Sequence, residues 1–149
     1  MPSGGLAAIG LRTADRDRSV RFYTHVLGGQ LLRTRDDPDR RAWLRVFEVP
    51  IEMAEVAQWT PLDENQRRFM PAVSFLVEPA DLDDLVSRLE MAGVPRRGPV
   101  LKMAGESVGV YFSDPDGNPL SFSCPQGYPG DGLSRNAALF VGAPFDWAG

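Results

Sequence analysis

The sequence predicts an α+β protein built from two copies of a βαβββ unit, and three observations support this class. Two stretches, 9–29 and 73–94, each begin as a short strand, continue at helical spacing and reach a glycine. Each stretch is followed by short apolar segments bounded by turn residues, which is typical of strands. The two stretches start more than 60 residues apart, which indicates a tandem repeat of one supersecondary unit.

Each unit carries signals for one helix after its first strand. Asp15 and Asp81 are suited to capping a helix N-terminus. Apolar residues then recur at helical spacing, as in Leu82, Leu85 and Leu89. Gly28 and Gly93, which follow these patterns, can adopt the left-handed conformation that ends a helix.

Three further strands are predicted after each helix. In chain order they cover 30–36, 41–49 and 51–59 in the first unit, and 99–105, 107–113 and 119–124 in the second. The segment "DPDGN" at 114–118 predicts a hairpin turn between the last two strands, because Pro115 presets φ and Gly117 tolerates positive φ.

The predicted organisation is a first module at 1–59, a linker at 60–71, a second module at 72–124 and a C-terminal arm at 125–149. The helix of one unit covers only one face of its sheet, so two units are expected to pair and enclose the other face. The Gly- and Pro-rich arm carries large apolar residues such as Phe140 and Trp147, which we expect to pack against the subunit or a partner.

Composition excludes several classes of protein. The net charge of −4 over 149 residues argues against a nucleic-acid partner. No apolar run approaches the about 20 residues that span a bilayer, and no signal peptide is evident, so we expect a cytoplasmic protein without a membrane partner. Cys124 and His25 are the only cysteine and histidine, which removes Ser-His-Asp and Cys-His nucleophiles within one chain.

Three motifs resemble the vicinal oxygen chelate superfamily, which contains glyoxalases, bleomycin-resistance proteins and extradiol dioxygenases. They are "DRDRSVRFYTHVLGG" at 15–29, "DLDDLVSRLEMAGV" at 81–94 and "YFSDPDGNPLSF" at 111–122. The resemblance implies paired βαβββ modules that form a cupped, incomplete barrel, the glyoxalase/bleomycin-resistance fold.

The same resemblance implies where metal ligands would lie. A histidine on the first strand of each module corresponds to Ala8 and Ser74, and a glutamate after the second-module turn corresponds to Ser121. Only Glu52, at the first-module carboxylate position, retains a ligand type. Divalent metals need several imidazole or carboxylate donors. We therefore expect a member of the family without a metal or another cofactor.

Glu52 leaves three alternatives open. Strand alternation turns Glu52 away from Ile51 and Met53 and into the cup. There its carboxylate is solvated or paired with Arg12 or Arg45, or it anchors a cationic ligand, or it acts as a general base.

Aromatic, flexible and hydroxyl side chains on predicted strands are the other candidates to line the cup. Trp43 shares strand parity with Arg45 and Phe47, a mixed face that suits a partly apolar cavity. The predicted ligand-binding residues are Trp43, Phe47, Glu52, Trp59, Ser74, Met103, Tyr111 and Ser121.

Resemblance to the bleomycin-resistance branch implies a homodimer that sequesters an aromatic or cationic natural product without transforming it. The alternative is a metal-free lyase, isomerase or cyclase that uses Glu52 as its acid–base group. A metal-dependent glyoxalase or dioxygenase is disfavoured by the missing ligands. Whether the protein is an enzyme stays open at this point.

Overall fold

The computed structural model describes residues 4–63, 65–66, 72–102 and 107–125. The chain divides into two compact units, Met1–Pro61 and Leu62–Gly149, which are described separately. Part of the predicted linker, the predicted site residue Met103 and the arm beyond Pro125 lie outside the described residues.

The first unit is a four-stranded mixed sheet with one helix. Its elements are β1 (Ile9–Thr13), α1 (Arg16–Arg21), β2 (Gln30–Arg35), β3 (Arg41–Val46) and β4 (Val49–Glu55). The strand order is β1-β4-β3-β2. β1 runs parallel to β4, and the two other pairs are antiparallel. The sheet is therefore open, with β1 and β2 at its edges.

The first helix starts as predicted but does not stay regular. The Asp15 side chain accepts a hydrogen bond from the Arg18 backbone N–H at 3.0 Å and so caps α1. α1 continues into a π-helical turn at Phe22–Val26, and the chain leaves it through Gly28 at φ 74°. Phe22 and Tyr23 are both buried in this turn although they are adjacent in sequence.

One face of the first sheet packs against α1 and forms the core of this unit. On β3 and β4 the buried residues are Ala42, Leu44, Val46, Ile51 and Met53. Strand alternation places the intervening residues on the opposite face, called here the distal face. Its strand positions are Gly10, Arg12, Gln30, Arg33, Arg35, Arg41, Trp43, Arg45, Pro50, Glu52 and Ala54.

The second unit repeats the topology of the first. Its elements are β5 (Val73–Leu76), α2 (Pro79–Met91), β6 (Arg97–Lys102), β7 (Ser107–Ser113) and β8 (Pro119–Pro125). The strand order is β5-β8-β7-β6, with β5 parallel to β8. The α+β class and the tandem βαβββ organisation are thus confirmed.

The predicted start of the second helix is wrong by three residues. α2 begins at Pro79 with Glu78 as its N-cap residue, whereas Asp81 lies in the first turn. Proline suits the first helical position because its fixed φ is helical and its missing N–H has no partner there. Asp81 instead stabilises the helix through its charge near the positive end of the dipole.

Within the described ranges, no helix is long and apolar enough to cross a membrane.

Two predicted strands extend too far. β3 ends at Val46, and Phe47 and Glu48 form a two-residue turn with φ of 48° and 64°. β4 ends at Glu55, and Trp59 lies in a turn where its backbone N–H donates to the Val56 carbonyl at 2.9 Å. Phe47 therefore does not continue the strand parity of Trp43, and Trp59 is not a strand residue.

Candidate functional site

The distal face of the first sheet brings two of the predicted site residues together. Strand pairing places Trp43 directly opposite Glu52. Neighbouring strands lie about 4.8 Å apart, so these side chains adjoin. The full row across the sheet reads Arg33, Trp43, Glu52, Gly10, and the next row reads Arg35, Arg41, Ala54, Arg12.

A depression of about 230 Å³ lies where these two rows meet β1 and β4. Its lining residues are Gly10, Leu11, Arg12, Arg41, Glu52 and Ala54. A Cβ atom added to Gly10 would meet no atom within 4 Å, so the space over this glycine is open. The depression therefore combines small residues with charged side chains that can bind a small polar molecule.

Arg41 is the central charged group of the depression. Its Nη1 donates to Glu52 Oε1, and its Nε donates to Asp39 Oδ2 at 2.7 Å. The bond to Asp39, and then that to Glu52, raises the pKa of Arg41. Arg35 and Arg41 lower the pKa of Asp39 through their hydrogen bonds to it. These contacts fix both the charge and the orientation of the guanidinium.

Glu52 thus pairs with Arg41, a residue that the sequence analysis did not consider. The sequence pattern predicts Arg12 or Arg45 as the partner of Glu52 instead. About one third of the Glu52 side chain stays exposed, at 32 %, so solvent or a small molecule can still reach it.

Trp43 lies against arginines rather than against an open space. The Arg33 Cζ atom is 4.0 Å from the centroid of the Trp43 ring, and the Arg35 Cζ atom is 5.5 Å from it. These distances define cation–π contacts. A ligand that stacked on the ring face over which Arg33 lies would have to displace Arg33 first.

The distal face is positively charged although the whole chain carries −4. Its described strand positions hold one acidic residue, Glu52, beside five arginines: Arg12, Arg33, Arg35, Arg41 and Arg45. A surface of this kind repels cations. This charge disfavours the alternative in which Glu52 anchors a cationic ligand, and the role of Glu52 stays a prediction.

In the second unit, three other predicted residues form a row. Ser74 pairs with Ser121 across β5 and β8, and Ser121 pairs with Tyr111 across β8 and β7. Ser121 Oγ donates to Ser74 Oγ at 2.9 Å, and Ser74 Oγ lies 2.6 Å from Ser123 Oγ. Ser121, at the position of the family's metal-binding glutamate, is thus part of a row of hydrogen-bonded neutral hydroxyls.

Ala8 and Ser74, which the resemblance assigns to the positions of the family's two histidines, are not equivalent in the structure. Gly10 lies opposite Glu52 just as Ser74 lies opposite Ser121, so Gly10 is the counterpart of Ser74. Ala8 comes two residues before Gly10, and its counterpart is Ala72. The alignment of Ala8 with Ser74 is therefore off by two residues, although no histidine occupies any of these positions.

The residues at these positions do not fit the metal of the family. Gly10, Ser74 and Ser121 offer no imidazole or carboxylate, and Glu52 is bound to Arg41. Among the residues that the structure describes, no three His, Cys, Asp or Glu side chains are grouped so that they could hold a metal ion.

Sequence reasoning missed Arg41 and the small residues Gly10 and Ala54, and it considered Arg12 only as a partner of Glu52. A signal was present in "RTRDDPDRRAWLR" at 33–45, where arginines recur at alternating positions on two adjacent strands. Alternation of one charge on two paired strands predicts a single charged face.

Comparisons with known proteins identify the family. The model of the Glyoxalase/Bleomycin resistance protein/Dioxygenase superfamily matches residues 5–122. A lactoylglutathione lyase from Haemophilus influenzae is 30 % identical over 120 residues, covering 75 % of this chain and 86 % of that protein. The chain belongs to the glyoxalase/bleomycin resistance protein/dioxygenase superfamily.

Solved structures show the same fold. A glyoxylase/bleomycin resistance protein/dioxygenase domain from Frankia sp. EAN1pec has a TM-score of 0.71 at 26 % identity, covering 90 % of this chain and 99 % of that one. The fosfomycin resistance protein FosX from Listeria monocytogenes, solved with Mn(II) and a sulfate ion, has a TM-score of 0.67 at 17 % identity, with coverages of 84 % and 95 %. At this low identity the second likeness concerns the fold alone.

The comparisons overturn the expected function. Sequestration of a natural product was expected from the bleomycin-resistance branch, but the relative with 30 % identity is a lyase. The sequestration hypothesis is therefore wrong, and the alternative of an enzyme agrees better with the comparisons.

Proposed function

We propose that this protein is a lyase or isomerase that acts on a small molecule bound in the depression, with Glu52 as the acid–base group. The observation that carries the proposal is the Arg41–Glu52 pair, which places a fixed cation against a partly exposed carboxylate beside small residues. The relative named as a lactoylglutathione lyase supports the reaction class.

The chemistry follows from these two groups. In a 2-hydroxy carbonyl compound, a carboxylate accepts the proton of the hydroxyl-bearing carbon, and an enediolate forms. Return of this proton to the former carbonyl carbon, while the hydroxyl proton moves to the former carbonyl oxygen, completes an isomerisation. Negative charge develops on the carbonyl oxygen during this transfer. The Arg41 guanidinium, already oriented by Asp39, stabilises that charge without reorganisation in the transition state.

The proposal includes no metal step, because the described residues at the family's ligand positions do not form a donor set. Metal independence stays a prediction that elemental analysis of the purified protein tests. We also propose a homodimer in the cytoplasm, which the family resemblance and the composition support.

The test follows proton exchange rather than one chosen substrate. The protein is incubated in D₂O with a panel of 2-hydroxy and 2-oxo compounds that includes lactoylglutathione, and NMR records the loss of carbon-bound protons. We expect exchange or conversion of at least one compound. Glu52→Gln removes the base and should lower the rate by about 10²–10⁴-fold while the fold is retained.

Glu48→Gln is the matched control, because Glu48 lies in the turn just before β4 and is exposed. It should leave the rate unchanged. Conversion that persists undiminished in Glu52→Gln would show that Glu52 is not the acid–base group. Conversion that is lost equally in both variants would show a general effect of charge instead.

A further inference from the structure

We infer that the depression is an oxyanion site in which Arg41, together with Arg12, binds a carboxylate or phosphonate group of the substrate. The inference deepens the proposed function and rests on it, because the anion is taken to be part of the substrate. Binding of the anion itself is tested separately. Three features of the first unit support it.

The first feature is the preparation of Arg41 as a donor. Asp39 and Glu52 engage Nε and Nη1 and hold the guanidinium plane. Among the described residues, no acceptor is hydrogen-bonded to Nη2, which carries two N–H groups. These N–H groups can donate charge-assisted hydrogen bonds to carboxylate or phosphoryl oxygens.

The second feature is the spacing of Arg41 and Arg12. Both pair with Ala54, one from each side, so the two arginines flank a single small residue. The strands to either side of β4 lie about 10 Å apart, a span that two arginine side chains can close on one anion. The methyl group of Ala54 and the open space over Gly10 leave room for that anion.

The third feature is the charge around the depression. Arg33 and Arg45 add positive charge to the same face, whereas Arg35 is paired with Asp39. Trp43 orients Arg33 by a cation–π contact. Charges of one sign on one surface raise the local concentration of ligands of the opposite sign. An anion is thus favoured over a neutral or cationic ligand before any contact forms.

The oxyanion site and Glu52 would work together. An anion on Arg41 Nη2 shares the positive charge of the guanidinium with Glu52, which is bound at Nη1, and so weakens the Arg41–Glu52 pair. The Glu52 carboxylate is then available for proton transfer next to the bound group. Binding of the substrate's anion therefore activates the proposed base.

Binding is measured by calorimetry and NMR titration with inorganic phosphate, methylphosphonate and acetate as probes. We expect saturable binding of at least one probe, and the tighter of methylphosphonate and acetate identifies the group that the site prefers. Arg41→Gln should weaken binding roughly ten- to a hundredfold, the effect of losing charge-assisted hydrogen bonds. Arg12→Gln should weaken it several-fold.

Arg21→Gln is the charge-matched control, since Arg21 is exposed on α1, the helix that packs on the opposite face of the sheet. Arg41→Lys keeps the charge and serves if Arg41→Gln does not fold; it should bind more weakly than the unmodified protein because a lysine lacks the planar guanidinium that Asp39 and Glu52 orient. The inference would be overturned if none of the probes saturated the protein below about 10 mM. It would also be overturned if Arg41→Gln, Arg41→Lys and the unmodified protein bound the probe with equal affinity.

The two proposals fail in different ways. Anion binding that depends on Arg41 without any proton exchange leaves the oxyanion site standing and removes the proposed reaction. Glu52-dependent exchange on a neutral compound, with no anion binding, removes the oxyanion site and leaves the reaction.

Discussion

The turn between β7 and β8 is organised around the buried carboxylate of Asp114, and its removal should be costly. Asp114 Oδ1 accepts the backbone N–H groups of Asp116 and Asn118, each at 2.9 Å. Asp114 Oδ2 accepts from Asn118 Nδ2 at 2.8 Å. All three residues are buried, at 4 %, 0 % and 5 % exposure, so bulk water does not reach these donors easily.

Asp114→Ala leaves these three donors without their acceptor. A buried donor without a partner costs about 1–3 kcal/mol, and water that enters the vacated space offsets part of the sum. We therefore expect a loss of about 3 kcal/mol, a large share of the about 5–15 kcal/mol that stabilises a typical domain. Asp114→Asn keeps one acceptor oxygen but turns an NH₂ group toward Asn118 Nδ2, so it should cost about half as much.

Urea denaturation followed by tryptophan fluorescence measures both variants. With a slope of about 2 kcal/mol per M, the midpoint of Asp114→Ala should fall by about 1.5 M. Asp81→Ala, in the first turn of α2, removes an exposed carboxylate and should cost no more than about 1 kcal/mol. A loss for Asp114→Ala no larger than that of Asp81→Ala, at an unchanged slope, would refute the idea that the carboxylate organises the turn.

Two further predictions concern the β3–β4 turn and the buried thiol. Glu48 adopts φ 64°, so Glu48→Gly should stabilise the protein by about 1 kcal/mol in the same denaturation assay, and a destabilised variant would contradict the strained turn. Burial, and then the Glu78 charge, raises the pKa of the Cys124 thiol above its ordinary value of 9.0. The neutral thiol therefore contributes fully to the free energy of unfolding below pH 9.0, and this contribution falls as the pH rises through the folded-state pKa. Unfolding at about pH 8 and about pH 10, compared between the unmodified protein and Cys124→Ala, isolates this contribution, and an identical pH response in both would exclude it.

Much of the fold could be predicted because it depends on local chemistry. Helical periodicity, the Asp15 cap and the turn at 114–118 each specify their own segment, and the structure confirms them. The errors fall at element ends. Phe47 and Trp59 lie past the strand ends because a two-residue turn and a turn after Glu55 interrupt the alternation that the apolar pattern suggested.

The candidate site was predicted only in part. Alternation along β4 correctly turned Glu52 away from Ile51 and Met53. The pairing of Glu52 with Arg41, by contrast, depends on the β3–β4 register, which sequence spacing alone does not specify. The equivalence of Gly10 and Ser74 also depends on strand register and follows from the strand pairings. Counting residues back from the two predicted helix starts makes Ala8 the counterpart of Ser74 instead.

The sequence by itself determined the repeated βαβββ units, the family resemblance and the loss of the metal-ligand residues, because these depend on residue identity and short-range periodicity. Only the tertiary structure decided that five arginines share one face with Glu52, that Arg33 lies over the Trp43 ring, and that Gly10 and Ala54 leave a depression beside Arg41. The physical reason is that hydrogen-bonded pairing of β1, β4, β3 and β2 sets which side chains from distant parts of the chain become neighbours.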